Sequence, residues 1–228
     1  MFANKKVLVL GASGGIGKEI VSCFKNYNAE IFYPSHAELD LVNTESIDKY
    51  FSEKKIEYDV VVYSAGINNP DAFETLTTEN LQRTLSVNTL GFVSVCRHVL
   101  PGMKKRGGGH IAVISSIYGI ISRKRRLPYA LSKHALTGVV QTLALEFAQY
   151  NIMVNAISPG FIETEMTSRN NSPEKIKKLV ADIPLNRLGH GKDIGETAAF
   201  LCSSKNRYIT GQNIVVDGGI LAGGWQDE

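Results

Sequence analysis

The sequence predicts an α/β fold, a single doubly wound and mostly parallel sheet of about seven strands with helices on both faces. Three observations carry this. Short apolar runs alternate with longer stretches of helical period along the whole chain. The first apolar run passes straight into a glycine-rich turn and then an amphipathic helix, which is the start of a parallel unit. The 228 residues contain no linker, repeat or low-complexity segment, and that length fills one substantial core.

The elements follow in order. Lys5-Lys6-Val7-Leu8-Val9-Leu10 is a buried strand bounded by charge and glycine. Gly11-Ala12-Ser13-Gly14-Gly15-Ile16-Gly17 comes next, and Lys18–Asn26 is an amphipathic helix. Glycines let a backbone approach a pyrophosphate, and a helix N-terminus offers free N–H groups and a positive dipole end. A purely structural turn is the alternative. Gly11, Gly15 and Gly17 fit G-x-x-x-G-x-G, while Gly11, Gly14 and Gly17 fit G-x-x-G-x-x-G, and the loop alone leaves both open.

Ala29–Tyr33 is the second strand, and its end should face an adenosine ribose. Ser35 falls there with His36 next; neither is acidic, which favours NADP(H) and leaves NAD(H) as an alternative. Leu39-Asp40-Leu41 reads as a third strand, too close to the second for a full crossover helix, so this sheet edge is abbreviated. Asp40 is placed to accept from an adenine amino group, or is simply an exposed strand-end carboxylate. Thr44 caps a helix through Lys54. Tyr58–Tyr63 is the fourth strand and ends in Ser64-Ala65-Gly66, small residues that let a cofactor pass.

Leu76–Lys105 is helical, in two helices, and holds Asn88 in an apolar setting where a buried amide needs partners, for structural or functional reasons alike. His110–Ile114 is the fifth strand, with Ser115-Ser116 at its carboxyl end. Ligands of parallel sheets lie at such ends, although a serine pair there is also ordinary turn chemistry. Arg123-Lys124-Arg125-Arg126 reads as a solvated basic face, with contact to an acidic substrate or carrier as the alternative. Pro128 opens a helix through Ala148, which puts Tyr129 and Lys133 one turn apart on one face. An ammonium beside a phenol favours the phenolate and lowers its pKa.

Ile152–Ile157 is the sixth strand, running into Ser158-Pro159-Gly160-Phe161-Ile162-Glu163-Thr164. Glu165–Asp182 is polar and helical, interrupted at Asn170–Pro173, and is expected to form a substrate lid spanning about residues 163–190 of a domain that covers 1–228. Asp193–Ser203 is a helix, Asn213–Val216 the last strand and Asp217-Gly218-Gly219 a turn.

Composition narrows the function. A net charge of +3 is too small to argue for nucleic acid. Cys23, Cys96 and Cys202 form neither a disulfide framework nor a metal site, and fit a reducing cytoplasm. No membrane segment is expected, because the run Val7–Leu10 is too short to span a bilayer.

With these pieces placed, the chain resembles the short-chain dehydrogenase/reductase family along essentially its full length. The likeness rests on Gly11-x-x-x-Gly15-Ile16-Gly17, on Ser64-Ala65-Gly66 where the family has Asn-Ala-Gly, on Asn88 and Ser116, on Tyr129-x-x-x-Lys133 and on Pro159-Gly160. The extended branch with G-x-x-G-x-x-G carries a larger C-terminal substrate domain, so length settles the glycine reading. Leu100–Arg106, Ile183–Gly189, Tyr208–Gln212 and Val216–Gly219 look most like the 3-oxoacyl-[acyl-carrier-protein] reductase group.

The resemblance implies a Rossmann-type NAD(P)-dependent oxidoreductase that interconverts a carbonyl and a hydroxyl. A 3-oxoacyl thioester on acyl carrier protein or coenzyme A is the first substrate; another alcohol, sugar or secondary metabolite is the alternative, and a non-catalytic cofactor-sensing protein a second one. Ser116 would orient the carbonyl, Tyr129 give the proton, Lys133 hold the nicotinamide ribose and depress the Tyr129 pKa, and Asn88 hold a relay water. Cofactor contacts are implied for Gly11, Ser13, Gly15, Ile16, Gly17, Ser35, Asp40, Leu41, Ser64, Ala65, Gly66, Tyr129, Lys133, Pro159 and Gly160. Ile162 and Thr164 would meet its carboxamide and phosphate. A homotetramer or homodimer is implied, built from helices around Asn88–Arg106 and Tyr129–Gln149. Lys104, Lys105, Arg106 and the Arg123–Arg126 run would dock an acidic carrier. Three departures stand out: Ser64 for Asn, the shortened loop after the second strand, and no basic residue at Gly14.

Overall fold

The four residues Val7–Leu10 are almost fully buried, and they divide by parity. Val7 and Val9 pack into one core and Leu8 and Leu10 into another, the period-two signature of a strand covered on both sides. In the computed structural model, which describes residues 1–223, this strand is β1 (Lys6–Leu10). It is joined by β2 (Glu30–Phe32), β3 (Val60–Tyr63), β4 (Gly109–Ile114), β5 (Ile152–Pro159) and β6 (Asn213–Val216). All pairings are parallel, in the order β2-β1-β3-β4-β5-β6. The chain goes one way from β1 to β2 and then builds in the other direction from β3. The switch point is therefore beside β1, and the carboxyl ends of β1, β3, β4 and β5 open onto one crevice.

Helices α1 (Gly15–Asn26) and α8 (Gly191–Leu201) cover one face, through Ile20, Phe24, Ile194 and Ala198. The other face carries α2 (Thr44–Lys54), α4 (Gly91–Arg106) and α5 (Leu127–Phe147), through Ile47, Phe92, Val95, Leu136 and Val140. Helix α3 (Thr78–Leu85) precedes α4, and the five residues between them, Ser86–Leu90, form one wider π-helical turn. The expected pair of helices is present, with Asn88 at the widened joint.

Among the described residues the sheet has six strands rather than seven. Leu39–Leu41 is a loop, because its polar groups are taken up locally: Asp40 N–H donates to Ser46 Oγ at 3.0 Å and Val42 N–H to Asp40 Oδ1 at 3.0 Å. The whole stretch from β2 to β3 is one crossover, with α2 as its helix. Its cap is Asn43, whose side chain accepts from Ser46 N–H at 3.1 Å; Thr44 is the first helical residue. In the segment expected as a lid lie α6 (Glu165–Asn170), capped by Thr164, and α7 (Pro173–Ala181), capped by Ser172.

Candidate active site

A cleft of about 1120 Å³ lies along the carboxyl edge of the sheet. Every site residue read from the sequence lines it except Asn88. At one end, β1 runs into Gly11 with φ +79°, and a Cβ there would sit 2.5 Å from the Ala65 nitrogen. Only glycine lets the ends of β1 and β3 meet this closely. A Cβ on Gly17 would overlap the Gly11 carbonyl oxygen, so the turn also fixes how α1 leaves the sheet. Gly14 caps α1 with no side-chain bond, and no acidic residue stands in the first turn. The N–H groups there meet no side-chain acceptor, a ready site for a phosphate. The backbone cradle, the anion-accepting helix start and the length of the cleft fit a dinucleotide.

The loop after β2 holds a feature that the sequence reading missed. Ser35 N–H and Oγ both donate to Glu38, at 2.8 and 2.9 Å, and Glu38 lines the cleft beside Ser35 and His36. These two bonds hold its carboxyl below the usual range. A carboxylate therefore does stand at this corner. It is three residues past the position examined in sequence, and the turn folds it back.

At the other end the site is made of side chains. Lys133 is buried, and its Nζ donates to the Ile114 carbonyl at 2.7 Å. Burial pulls its pKa down to about 7. The same ammonium lies 5.6 Å from the centre of the Tyr129 ring. The sequence reading expected this cation to lower the Tyr129 pKa, but in the structure that pKa is raised. Burial of the phenol dominates, the Ser116 hydroxyl and Arg126 oppose it, and Lys133 is directed at Ile114 instead. Ser116 is held at the end of β4: its Oγ accepts from Tyr118 N–H at 3.1 Å, and its carbonyl accepts from Ser158 Oγ at 2.9 Å.

Asn88 stands behind the cleft, fully buried. Its Oδ1 accepts from Ile67 N–H at 2.8 Å, and its Nδ2 donates to Ile67 O at 3.0 Å and Ser132 Oγ at 2.9 Å. The side chain thus ties the loop after β3 to α5. A Cβ on the intervening Gly66 would stand 3.5 Å from both Asn88 Oδ1 and Lys133 Nζ.

The basic run is not one solvated face. Lys124 and Arg125 are exposed, whereas Arg126 is only 7% exposed and lines the cleft with the half-buried Arg123. Arg126 Nη1 donates to Asn68 Oδ1 at 3.3 Å, and Asn170 of α6 donates to the Asn68 carbonyl at 3.2 Å. Tyr118 stands edge-on to Tyr129 and to Phe161, with ring centres 6.3 and 6.5 Å away. Arg123 donates to its hydroxyl at 3.3 Å. Asn68, Tyr118 and Phe161 had no signal of their own in the sequence. Arg126 did, since it stands three residues before Tyr129 and caps the same helix.

The comparisons agree with this geometry. A family model described as "Enoyl-(Acyl carrier protein) reductase" matches residues 16–221. The chain belongs to the short-chain dehydrogenase/reductase family. Among its relatives is a 3-oxoacyl-[acyl-carrier-protein] reductase of Buchnera aphidicola, 32% identical over 95% of this chain and 97% of that protein. Another is a glucose 1-dehydrogenase of Gluconobacter oxydans, 34% identical over 96% of this chain and 92% of that one. A solved structure of 4-hydroxyisoleucine dehydrogenase complexed with NADH superposes with a TM-score of 0.91 at 28% identity, covering 96% of this chain and all of the other (100%). The protein is an NAD(P)-dependent oxidoreductase of this family.

Proposed function

We propose that the protein interconverts a carbonyl and a hydroxyl on a small substrate, with Tyr129 as the proton donor. The observation that carries this is the gathering of Tyr129, Ser116 and Lys133 at one end of a cleft whose other end fits a dinucleotide. A bound reduced nicotinamide supplies the hydride there. The raised pKa keeps the Tyr129 phenol protonated at neutral pH, ready to give its proton to the carbonyl oxygen. Ser116 Oγ donates to the same oxygen and steadies its growing charge. Lys133 holds the ribose hydroxyls and restores the proton, and Asn88 positions Lys133 through Ile67 and Ser132. Carbonyl, reduced nicotinamide and one proton become alcohol and oxidised nicotinamide. Gly11–Gly17, Ser64–Gly66 and Pro159–Gly160, which line the cleft, would hold the dinucleotide, and Ile162 and Thr164 would meet its carboxamide and phosphate.

Likeness to the carrier-protein reductases supports a 3-oxoacyl thioester as substrate. A second reading, a small oxidised or reduced metabolite with its own charge, is favoured by Arg126 and by 4-hydroxyisoleucine, itself an acid, as the substrate named for a structural relative. For the cofactor, the absence of an acidic residue at Ser35 favours NADP(H), but Glu38 bonded to Ser35 favours NAD(H), because it occupies donors that a 2′-phosphate would need and repels that phosphate. Exposed Leu127, Leu131 and Leu145 on α5 support pairing with further copies of the chain.

Tyr129→Phe tests the mechanism. It should bind reduced nicotinamide as the parent does, read by fluorescence, and lose turnover by about a thousandfold or more. Parental turnover would remove Tyr129 from the chemistry.

A further inference from the structure

We infer that the substrate carries a compact anionic group, a carboxylate or a phosphate, and that Arg126 binds it within a few atoms of the reacting carbon. This rests on the oxidoreductase reading above and names the class of molecule that the same site takes.

Arg126 is 93% buried by its 7% exposure, yet its only side-chain hydrogen bond among the described residues is the one to Asn68 Oδ1. A guanidinium has five N–H donors. No carboxylate lies within ion-pair distance of Arg126 or Arg123 among the described residues. Buried charges without a partner are costly, and a protein that keeps one has a use for it. Here the surroundings add positive charge. Arg123 and Arg125 lie close enough to act against the Arg126 charge, and Lys175 on α7 is lowered by burial and then by Arg123, Arg126 and Arg125. Helix α5 begins at Arg126 with no side-chain cap and no acidic residue in its first turn, so its dipole has the same sign. Glu165, Glu38 and Asp40 also line the cleft, but Glu38 and Asp40 belong to the loop after β2, and none of the three pairs with Arg126.

The position of Arg126 decides what kind of anion this is. It stands one helical turn before Tyr129, and both side chains line the same end of the cleft. The phosphate of a carrier arm is separated from its thioester by the whole pantetheine chain, so it cannot lie here while the carbonyl meets Tyr129. A group on the substrate's own short skeleton can. Arginine suits it, because its planar fork pairs with carboxylate or phosphate through two parallel bonds.

The test uses the nicotinamide-loaded enzyme with malonate and inorganic phosphate as separate probes, read by calorimetry. Saturable binding of one or both, weakened by about ten- to a hundredfold in Arg126→Gln, is the expected result, the size of one charge-assisted contact. Whichever probe binds tells a carboxylate site from a phosphate site. Arg123→Gln, at a half-buried position, should weaken binding less. A melting curve on each variant separates loss of the site from loss of the fold. The kinetic arm compares matched carbonyl pairs, acetoacetate with its methyl ester and dihydroxyacetone phosphate with dihydroxyacetone. A preference for the charged member, abolished by Arg126→Gln, agrees with the binding result. No saturable anion binding, or equal binding in the variant, overturns the inference while turnover of neutral carbonyls leaves the oxidoreductase reading standing. Failure to bind any nicotinamide would instead strike that earlier reading.

Discussion

At the nucleotide end of the cleft the surface is backbone: Gly11, Gly15 and Gly17, a helix start without a side-chain cap, and Ala65 approached to within the reach of a missing Cβ. At the chemical end it is side chains: Tyr129, Ser116, Lys133 and Arg126, each brought from a buried or half-buried position. On the proposed function, the first end recognises a shape common to all dinucleotides. Its cost is strain, carried by glycine. The second end must meet one substrate. Its cost is buried charge, since neither Lys133 nor Arg126 has a carboxylate partner within ion-pair distance among the described residues. The same fold thus stores instability in two different forms, and each can be probed separately.

The backbone end should break most severely. In Gly17→Ala the new methyl group overlaps the Gly11 carbonyl, and neither backbone can yield without moving β1 or α1. We expect a loss of about 3 kcal/mol in stability and of most nicotinamide affinity, measured by denaturant titration and by fluorescence. Parental affinity in a folded Gly17→Ala would show that the turn tolerates a side chain, and that the two ends do not differ as argued.

Asn88→Ala probes the link between the ends. It removes the partner of Ile67 N–H and Ile67 O and the donor to the buried Ser132 Oγ, which keeps only its bond to the Tyr129 carbonyl. About 2 kcal/mol of stability should go. Asn88→Asp, at a pH where it is ionised, should keep the bond from Ile67 N–H yet lose the two donated ones. A fall in turnover in both variants with nicotinamide affinity retained separates positioning from scaffold loss.

The difference between the two ends also explains what could be read from the sequence. The glycine turn, the Tyr129–Lys133 spacing and the alternation of strands with helices were legible, because backbone demands translate into residue types at fixed spacing. Leu39–Leu41 was misread as a strand because apolar residues flanking an aspartate look alike in a strand and in a turn; only the bonds of Asp40 and Ser46 decide. The Tyr129 pKa was misjudged for a related reason. Spacing placed an ammonium near the phenol, but burial of both groups depends on the tertiary fold. Asn68, Tyr118 and Phe161 meet at the substrate end from three separate loops, and no local pattern announces such a meeting.

The buried charge at the chemical end gives stability a pH dependence. An unfolded lysine has a pKa near 10.5, whereas Lys133 in the fold has one of about 7. Between these values the unfolded chain keeps a proton that the folded chain has released, so this group makes the fold more stable as pH rises through the window. Below it both forms are charged and the cost of burial is fully felt. Lys133→Met should therefore be more stable than the parent at low pH, and the gap should narrow by on the order of 2 kcal/mol between about pH 7 and pH 9. Turnover should be lost at every pH. Parallel stability curves for the two proteins would mean that Lys133 is not titrating in this range.

The smallest effect belongs to Glu38, where the nucleotide end sets a cleft-lining carboxylate, held charged by its bonds from Ser35, against a phosphate. Its carboxylate accepts both donors of Ser35 and lies at the corner where an adenosine ribose is expected. Glu38→Gln keeps the size and an acceptor oxygen but removes the negative charge. The ratio of kcat/KM for NADPH over NADH should rise by about tenfold, with little change for NADH itself. Glu38→Ala, which also frees Ser35 N–H and Oγ, should raise it further. If neither substitution moves the ratio, the nucleotide end reads only backbone shape, and its contrast with the chemical end is sharper than the charge at Glu38 implies.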